Sequence, residues 1–178
     1  MEKTIYHSTK KISFDKIIKS QKVKTHKNDF PKDKHPGSLG FGFYGFSSEY
    51  LCKQYGLEKL KSDFKFLNCK IIVDERCVLD LRDDTTLKKY LMYKKFIKTN
   101  PIYEETIAKY RNAKQSSREG AFIEQYLTKI TNIKCVIAMT STQIETSDYS
   151  YVANGTEYCI RDNDVIKIKE GVELWDQI

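Results

Sequence analysis

Apolar and polar positions change period several times along the chain, and each change marks an element. Residues 3–8, KTIYHS, alternate around Ile5 and Tyr6 and predict an opening strand that ends at His7. Ser13 then precedes FDKIIKS, where Phe14, Ile17 and Ile18 recur at helical spacing and Asp15 stands in the first turn. The next stretch, QKVKTHKNDFPKDKHPGSLG, is polar and carries Pro, Gly and Asn, so it reads as a long loop. A loop of that length in a compact domain usually has a function. After GFGFYGF, Ser47 or Ser48 is placed to cap a helix over EYLCKQY, with Glu49 near its positive end and Gly56 as its stop.

The second half begins with two strand-like runs, DFKFLNCKIIVD and RCVLDL. Asp83 and Asp84 open a helical region through LKKYLMYKKFIK, which Asn100-Pro101 breaks. Helical spacing resumes in IYEETIAKYRNAK, and a further helix is expected over REGAFIEQYLTKI after a QSS turn. The end is strand-rich: IKCVIAMTS, YSYVA, TEYCIRD and VIKIK, with Asn154-Gly155 as a hairpin turn between the middle two. Strands paired by hairpins and helices grouped in a block at about 83–130 predict an α+β fold, not a doubly wound α/β one. At 178 residues a single domain, 1–178, is the expectation.

Composition narrows the partners. A net charge of +7 and a sequence pI near 9.0 favour an acidic partner such as nucleic acid, an anionic protein face or a dinucleotide. Most of the excess is single lysines, which a solvated surface explains equally well. The five cysteines are odd in number and none has CxxC spacing, so free thiols in a reducing compartment are expected. No His or acid stands at ligand spacing from a cysteine pair, so no metal site is expected. The N-terminus has no apolar leader and no run has membrane-spanning length, which reads as a cytoplasmic protein with no membrane partner.

Several motif readings fail. There is no Walker loop, no Gly-x-Ser-x-Gly and no HExxH. Gly40, Gly42 and Gly45 mimic a dinucleotide fingerprint, but they follow a loop and not a βαβ strand. His26 and His35 lie in the lysine-rich loop, whereas His7 closes an apolar strand.

Three pieces stand in order: YHST at the end of the first strand, GFGFYGFSSEYLCKQY leading into a helix, and GTEYCIRD in a late strand. Together they resemble the His-Tyr-Glu signature of the ADP-ribosyltransferases, the branch with the poly(ADP-ribose) polymerases and diphtheria-type toxins. About thirty residues carry the likeness. It implies a split, mostly antiparallel β core with flanking helices and a helical insertion, and NAD as substrate. It also implies catalytic roles for His7, Tyr44 and Glu157, and a nicotinamide pocket from Ser8, Thr9, Gly42, Tyr44, Cys52 and Tyr55. In this reading Tyr44 and Tyr55 sandwich the flat nicotinamide ring, and His7 holds the adenosine ribose. Glu157 bonds the nicotinamide ribose and favours its cationic transition state. Two positions depart from the family: Ser8 stands where Gly is usual, and Cys52 where Ser is common. Ser141-Thr142 and Gln143-x-Glu145 mimic the arginine-modifying branch, but they abut where that branch separates them.

The resemblance implies a small bacterial or phage mono-ADP-ribosyltransferase, a toxin–antitoxin or phage-defence enzyme with a possible antitoxin partner. The acceptor stays open between protein and RNA or DNA. The basic loop 20–35 and Lys88, Lys89, Lys94, Lys95 and Lys98 are candidates for tracking phosphates. Two other readings stand beside it: an NAD glycohydrolase using the same site, and a non-enzymatic basic module that binds nucleic acid by stacking.

Overall fold

A computed structural model of the chain describes residues 1–61, 64–100, 108–110, 112–140 and 155–169. Its centre is a seven-stranded mixed sheet. In chain order the strands are β1 (Glu2–Lys10), β2 (Phe43–Phe46), β3 (Phe64–Ile72), β4 (Val78–Asp80), β5 (Cys135–Thr140), β6 (Gly155–Ile160) and β7 (Ile166–Ile168). They lie side by side in the order β4-β5-β6-β2-β1-β3-β7. The β4–β5 pair is parallel and the other neighbours are antiparallel. The described helices are α1 (Lys11–Ser20), α2 (Glu49–Tyr55), α3 (Asp84–Lys98) and α4 (Gln115–Leu127). The fold is therefore α+β, as the pattern predicted.

The sheet is continuous, where a split core was expected, but its two halves join narrowly. β1 runs nine residues in register with β3, whereas β1 and β2 meet in register at Tyr6 and Phe46. β2 is only four residues long, and all four pair with β6 on its other edge.

Both faces of the sheet are covered, so the central strands are apolar on both sides. On one face, Ile5, Phe43, Leu67, Cys69, Ile71, Ile137 and Ile160 form the largest cluster, and Phe14, Ile17 and Ile18 of α1 pack onto it. On the other face, α3 and α4 cover Val136 and Cys159 through Tyr90, Ile97, Phe122 and Ile123. Beside them α2 sets Leu51 and Cys52 against Phe46 and Phe66. Each such buried side chain contributes about 1.5–3 kcal/mol.

Four boundaries differ from the sequence reading. β1 continues through His7 to Lys10, because pairing with β3 extends to Phe64. α1 starts at Lys11 without a side-chain cap, so Ser13 lies inside it. Gly56 does not stop α2: it keeps right-handed helical angles, and the chain winds one wider turn to Leu60. A Cβ on Gly56 would lie 2.3 Å from the Phe64 ring, so packing against that ring explains the glycine. The QSS segment is the first turn of α4 and not a separate turn. Elsewhere the caps hold: Ser48 accepts from Leu51 N–H at 3.3 Å, and Asp83 accepts from Thr86 N–H at 2.8 Å. The expected strand YSYVA, Asn154 of the hairpin turn, Ser141 to Glu145 and most of the expected helix 102–114 lie outside the described residues.

Candidate active site

The three motifs converge on the seam between β1, β2 and β6. Strand pleat decides which side chains share a face. Phe46 opposes Tyr6 on one side and Glu157 on the other, and Tyr44 opposes Cys159. Tyr6, Tyr44, Phe46, Glu157 and Cys159 therefore project to the face that α2 and α4 cover. Tyr55, near the end of α2, places its ring 5.6 Å from that of Phe46.

Glu157 is half-buried, and burial pushes its carboxyl above the usual range. The Ser38 hydroxyl opposes that shift by donating to Oε2 at 2.7 Å. Burial raises both phenols, Tyr44 strongly, and the charge of Glu157 adds to the rise in each. A carboxylate and two neutral phenols thus share one neighbourhood.

His7 projects to the opposite face, where its ring lies 4.2 Å from that of Phe43. It joins the site through the narrow seam. Its Nδ1 sits 2.6 Å from the Tyr44 carbonyl oxygen. A carbonyl only accepts, so Nδ1 carries the proton and Nε2 is left as a bare acceptor. By surface the ring is half-buried, but protein atoms enclose it, and that enclosure holds its pKa down at about 4. The bond to Tyr44 pulls weakly the other way. At neutral pH His7 is an uncharged acceptor, suited to a hydroxyl and not to an anion.

The other expected pocket residues are largely engaged with the protein. Ser8 is buried and donates to the Cys52 carbonyl at 2.5 Å, and the Cys52 thiol lies 3.0 Å from the Ser8 hydroxyl. These bonds tie α2 to β1, and burial pushes the Cys52 thiol up to about 11. Thr9 points to the His7 face and pairs with Lys65 in register. Gly42 makes room for Cys159: a Cβ there would lie 2.5 Å from its sulfur. The missing side chain of Gly42 thus serves a contact within the chain. The Tyr44 hydroxyl donates to Gly40 O at 2.6 Å and accepts from Leu39 N–H at 2.8 Å, so its polar end is occupied by the turn 37–40.

Three side chains escaped the sequence reading. Ser38 is one. The others are Glu124, on α4, and Arg161, just past β6. Arg161 grips both oxygens of Glu124, at 2.5 and 3.1 Å, and donates to Phe41 O at 2.8 Å. Glu124 Oε1 also accepts from Phe41 N–H at 2.7 Å. The pair clamps the backbone three residues before Tyr44. No short-range signal reveals such a clamp, since its halves are 37 residues apart.

Two of the candidate lysines of the helical block are engaged locally. Lys94 bonds Glu119, and Lys94 and Lys98 lie over the Phe122 ring. Among the described residues no helix is long and apolar enough to cross a membrane, and no group of three or more His, Cys, Asp and Glu is gathered to hold a metal. Compared with known proteins, the chain matches no protein-family model and no curated protein sequence.

Proposed function

We propose that the chain is a mono-ADP-ribosyltransferase with an ADP-ribosyltransferase-like fold, cleaving NAD and passing ADP-ribose to a protein or nucleic-acid acceptor. The observation that carries this reading is Glu157: a half-buried carboxylate beside the neutral phenols of Tyr44 and Tyr55. Breaking the nicotinamide–ribose bond builds positive charge on the ribose, and a fixed carboxylate in a poorly solvated site stabilises that charge. In this proposal the Tyr55 ring on α2 is assigned to nicotinamide; His7, on the opposite face of the sheet, bears on the site through its bond to the Tyr44 carbonyl. The order of the three motifs along the chain supports the same reading. A role as a cytoplasmic toxin or phage-defence effector, held by an antitoxin, belongs to this proposal.

Water in place of the acceptor turns the same site into an NAD glycohydrolase. The test is incubation of the full chain with adenylate-labelled NAD and a cell extract, separated into protein and nucleic-acid fractions. Label in either fraction identifies the acceptor class, and free ADP-ribose alone identifies hydrolysis. No NAD turnover by wild type, with Glu157→Ala indistinguishable from it, overturns the enzyme reading. Salt-sensitive binding of single strands by that inactive protein would then favour a basic nucleic-acid module.

A further inference from the structure

We propose that Ser38 is the positioning residue of Glu157, holding one carboxylate oxygen so that the other faces the ligand. Its role in turnover rests on the transferase reading, whereas its grip on Glu157 does not. The turn carrying it is pinned at several points. Gly37 and Gly40 exchange backbone bonds at 3.1 and 3.2 Å, and Gly40 takes a φ of +96° that suits glycine. The Tyr44 hydroxyl bonds both Leu39 N–H and Gly40 O. Leu39 is buried in the cluster under α3 and α4. α4 presses against the turn from outside: a Cβ on Gly120 would stand 1.8 Å from Gly37 O. A serine on a turn held this way does not follow its partner. It fixes the partner.

The Ser38 hydroxyl donates to Glu157 Oε2 at 2.7 Å. Among the described residues Ser38 is the one side-chain donor to this carboxylate; it sets the rotamer and directs Oε1 toward a second hydroxyl, the bond a ribose would make. The groups facing Glu157 from the packed elements are Tyr44 and Phe46 on β2, Ala138 on β5 and Tyr55 on α2. The two phenols are neutral at pH 7, so Ser38 is the neighbour that favours the ionised carboxylate.

The test reads Glu157 directly. The full chain labelled with glutamate 13C at the side-chain carboxyl is titrated by NMR, and Glu157→Gln assigns the resonance. Losing a donor to the charged form raises a carboxyl by about one pH unit. Ser38→Ala is therefore expected to move the Glu157 midpoint upward by that amount, and Ser38→Thr to restore it. Ser38→Cys, with a weaker donor of similar size, gives a smaller shift in the same direction and serves if the alanine variant does not fold. Equal midpoints in wild type and the Ser38 variants overturn the proposal, whether or not NAD is consumed. If NAD is consumed, the acid limb of kcat moves with the midpoint while KM changes less than about threefold. Turnover absent from wild type, with the midpoint still shifted by Ser38→Ala, refutes the transferase reading and leaves the positioning role standing.

Discussion

Replacing Glu124 by Leu strands Arg161 in a partly enclosed site. The wild-type pair has side chains only 24% and 18% exposed, so water compensates poorly for the lost carboxylate. Two charge-assisted bonds between the side chains disappear, as does the Phe41 N–H bond to Glu124. Breaking one partner of a buried pair costs about 3–5 kcal/mol, and the residual exposure places this site near the lower end. With a urea m-value of about 2 kcal/mol/M for a chain of this size, the unfolding midpoint should fall by about 1.5 M. Removing both partners, as Glu124→Leu with Arg161→Leu, leaves no unpaired charge. The double variant should then cost little more than either single, a coupling of about 2–3 kcal/mol. Urea unfolding followed by near-UV and far-UV circular dichroism measures all four corners of the cycle. Because the clamp holds Phe41, the glutamate variant should also slow NAD turnover through Tyr44. Additive single costs, or a glutamate variant that loses less than about 1 kcal/mol, would refute the claim that the pair is a clamp and reduce it to a surface ion pair.

Three further expectations test the electrostatics of the site. His7 has a folded pKa near 4, below its unfolded value of about 6.5. The unfolded state therefore binds more protons between those limits, and stability falls as pH drops from 6.5 toward 4, by about 3 kcal/mol in all. Urea midpoints at pH 7 and 4.5 should show that loss in wild type and not in His7→Gln, whose amide still donates to Tyr44 O. An equal loss in both sinks the assignment. Glu157 has the opposite sign, because its folded carboxyl lies above its unfolded value. Its contribution is present in acid and is lost as pH rises through the folded midpoint, so Glu157→Gln should be more stable than wild type at pH 8 and about 10²–10³-fold slower in NAD turnover. The thiols of Cys52, Cys69 and Cys135 are pushed up to about 11, 12 and 12 by burial, and Cys159 further still. Iodoacetamide at pH 7.5 should label Cys77 alone in the folded chain and all five cysteines in urea, read by mass spectrometry.

What the sequence made legible was whatever local chemistry determines. Alternation in FKFLNCKII sets β3, and the Ser48 and Asp83 caps fix the starts of α2 and α3. The neighbourhood of Tyr44, Tyr55 and Glu157 was legible because their motifs lie on strands and a helix that meet at one seam. The illegible part depends on pairing. Four residues of β2 look like a turn in isolation, since Gly45 weakens any strand signal; they become a strand because β6 offers a full ladder. Gly42 looks like a ligand-approach glycine until Cys159 is placed opposite it. Glu124 has its partner, Arg161, just past β6, beyond the reach of any helical period. Ser38 lies in a lysine-rich stretch whose polarity hides a hydroxyl aimed inward. These cases share a cause. The site stands where two halves of a sheet touch at Tyr6 and Phe46, and such a seam has few ladder bonds to fix its geometry. Side chains supply the missing constraint: His7 bonds the Tyr44 carbonyl, Ser38 bonds Glu157, and Arg161 with Glu124 holds Phe41. A longer β1–β2 ladder would pair the Tyr44 carbonyl with backbone and deny His7 that acceptor. The narrow seam therefore hides the site from a residue-by-residue reading and also gives it polar atoms to use.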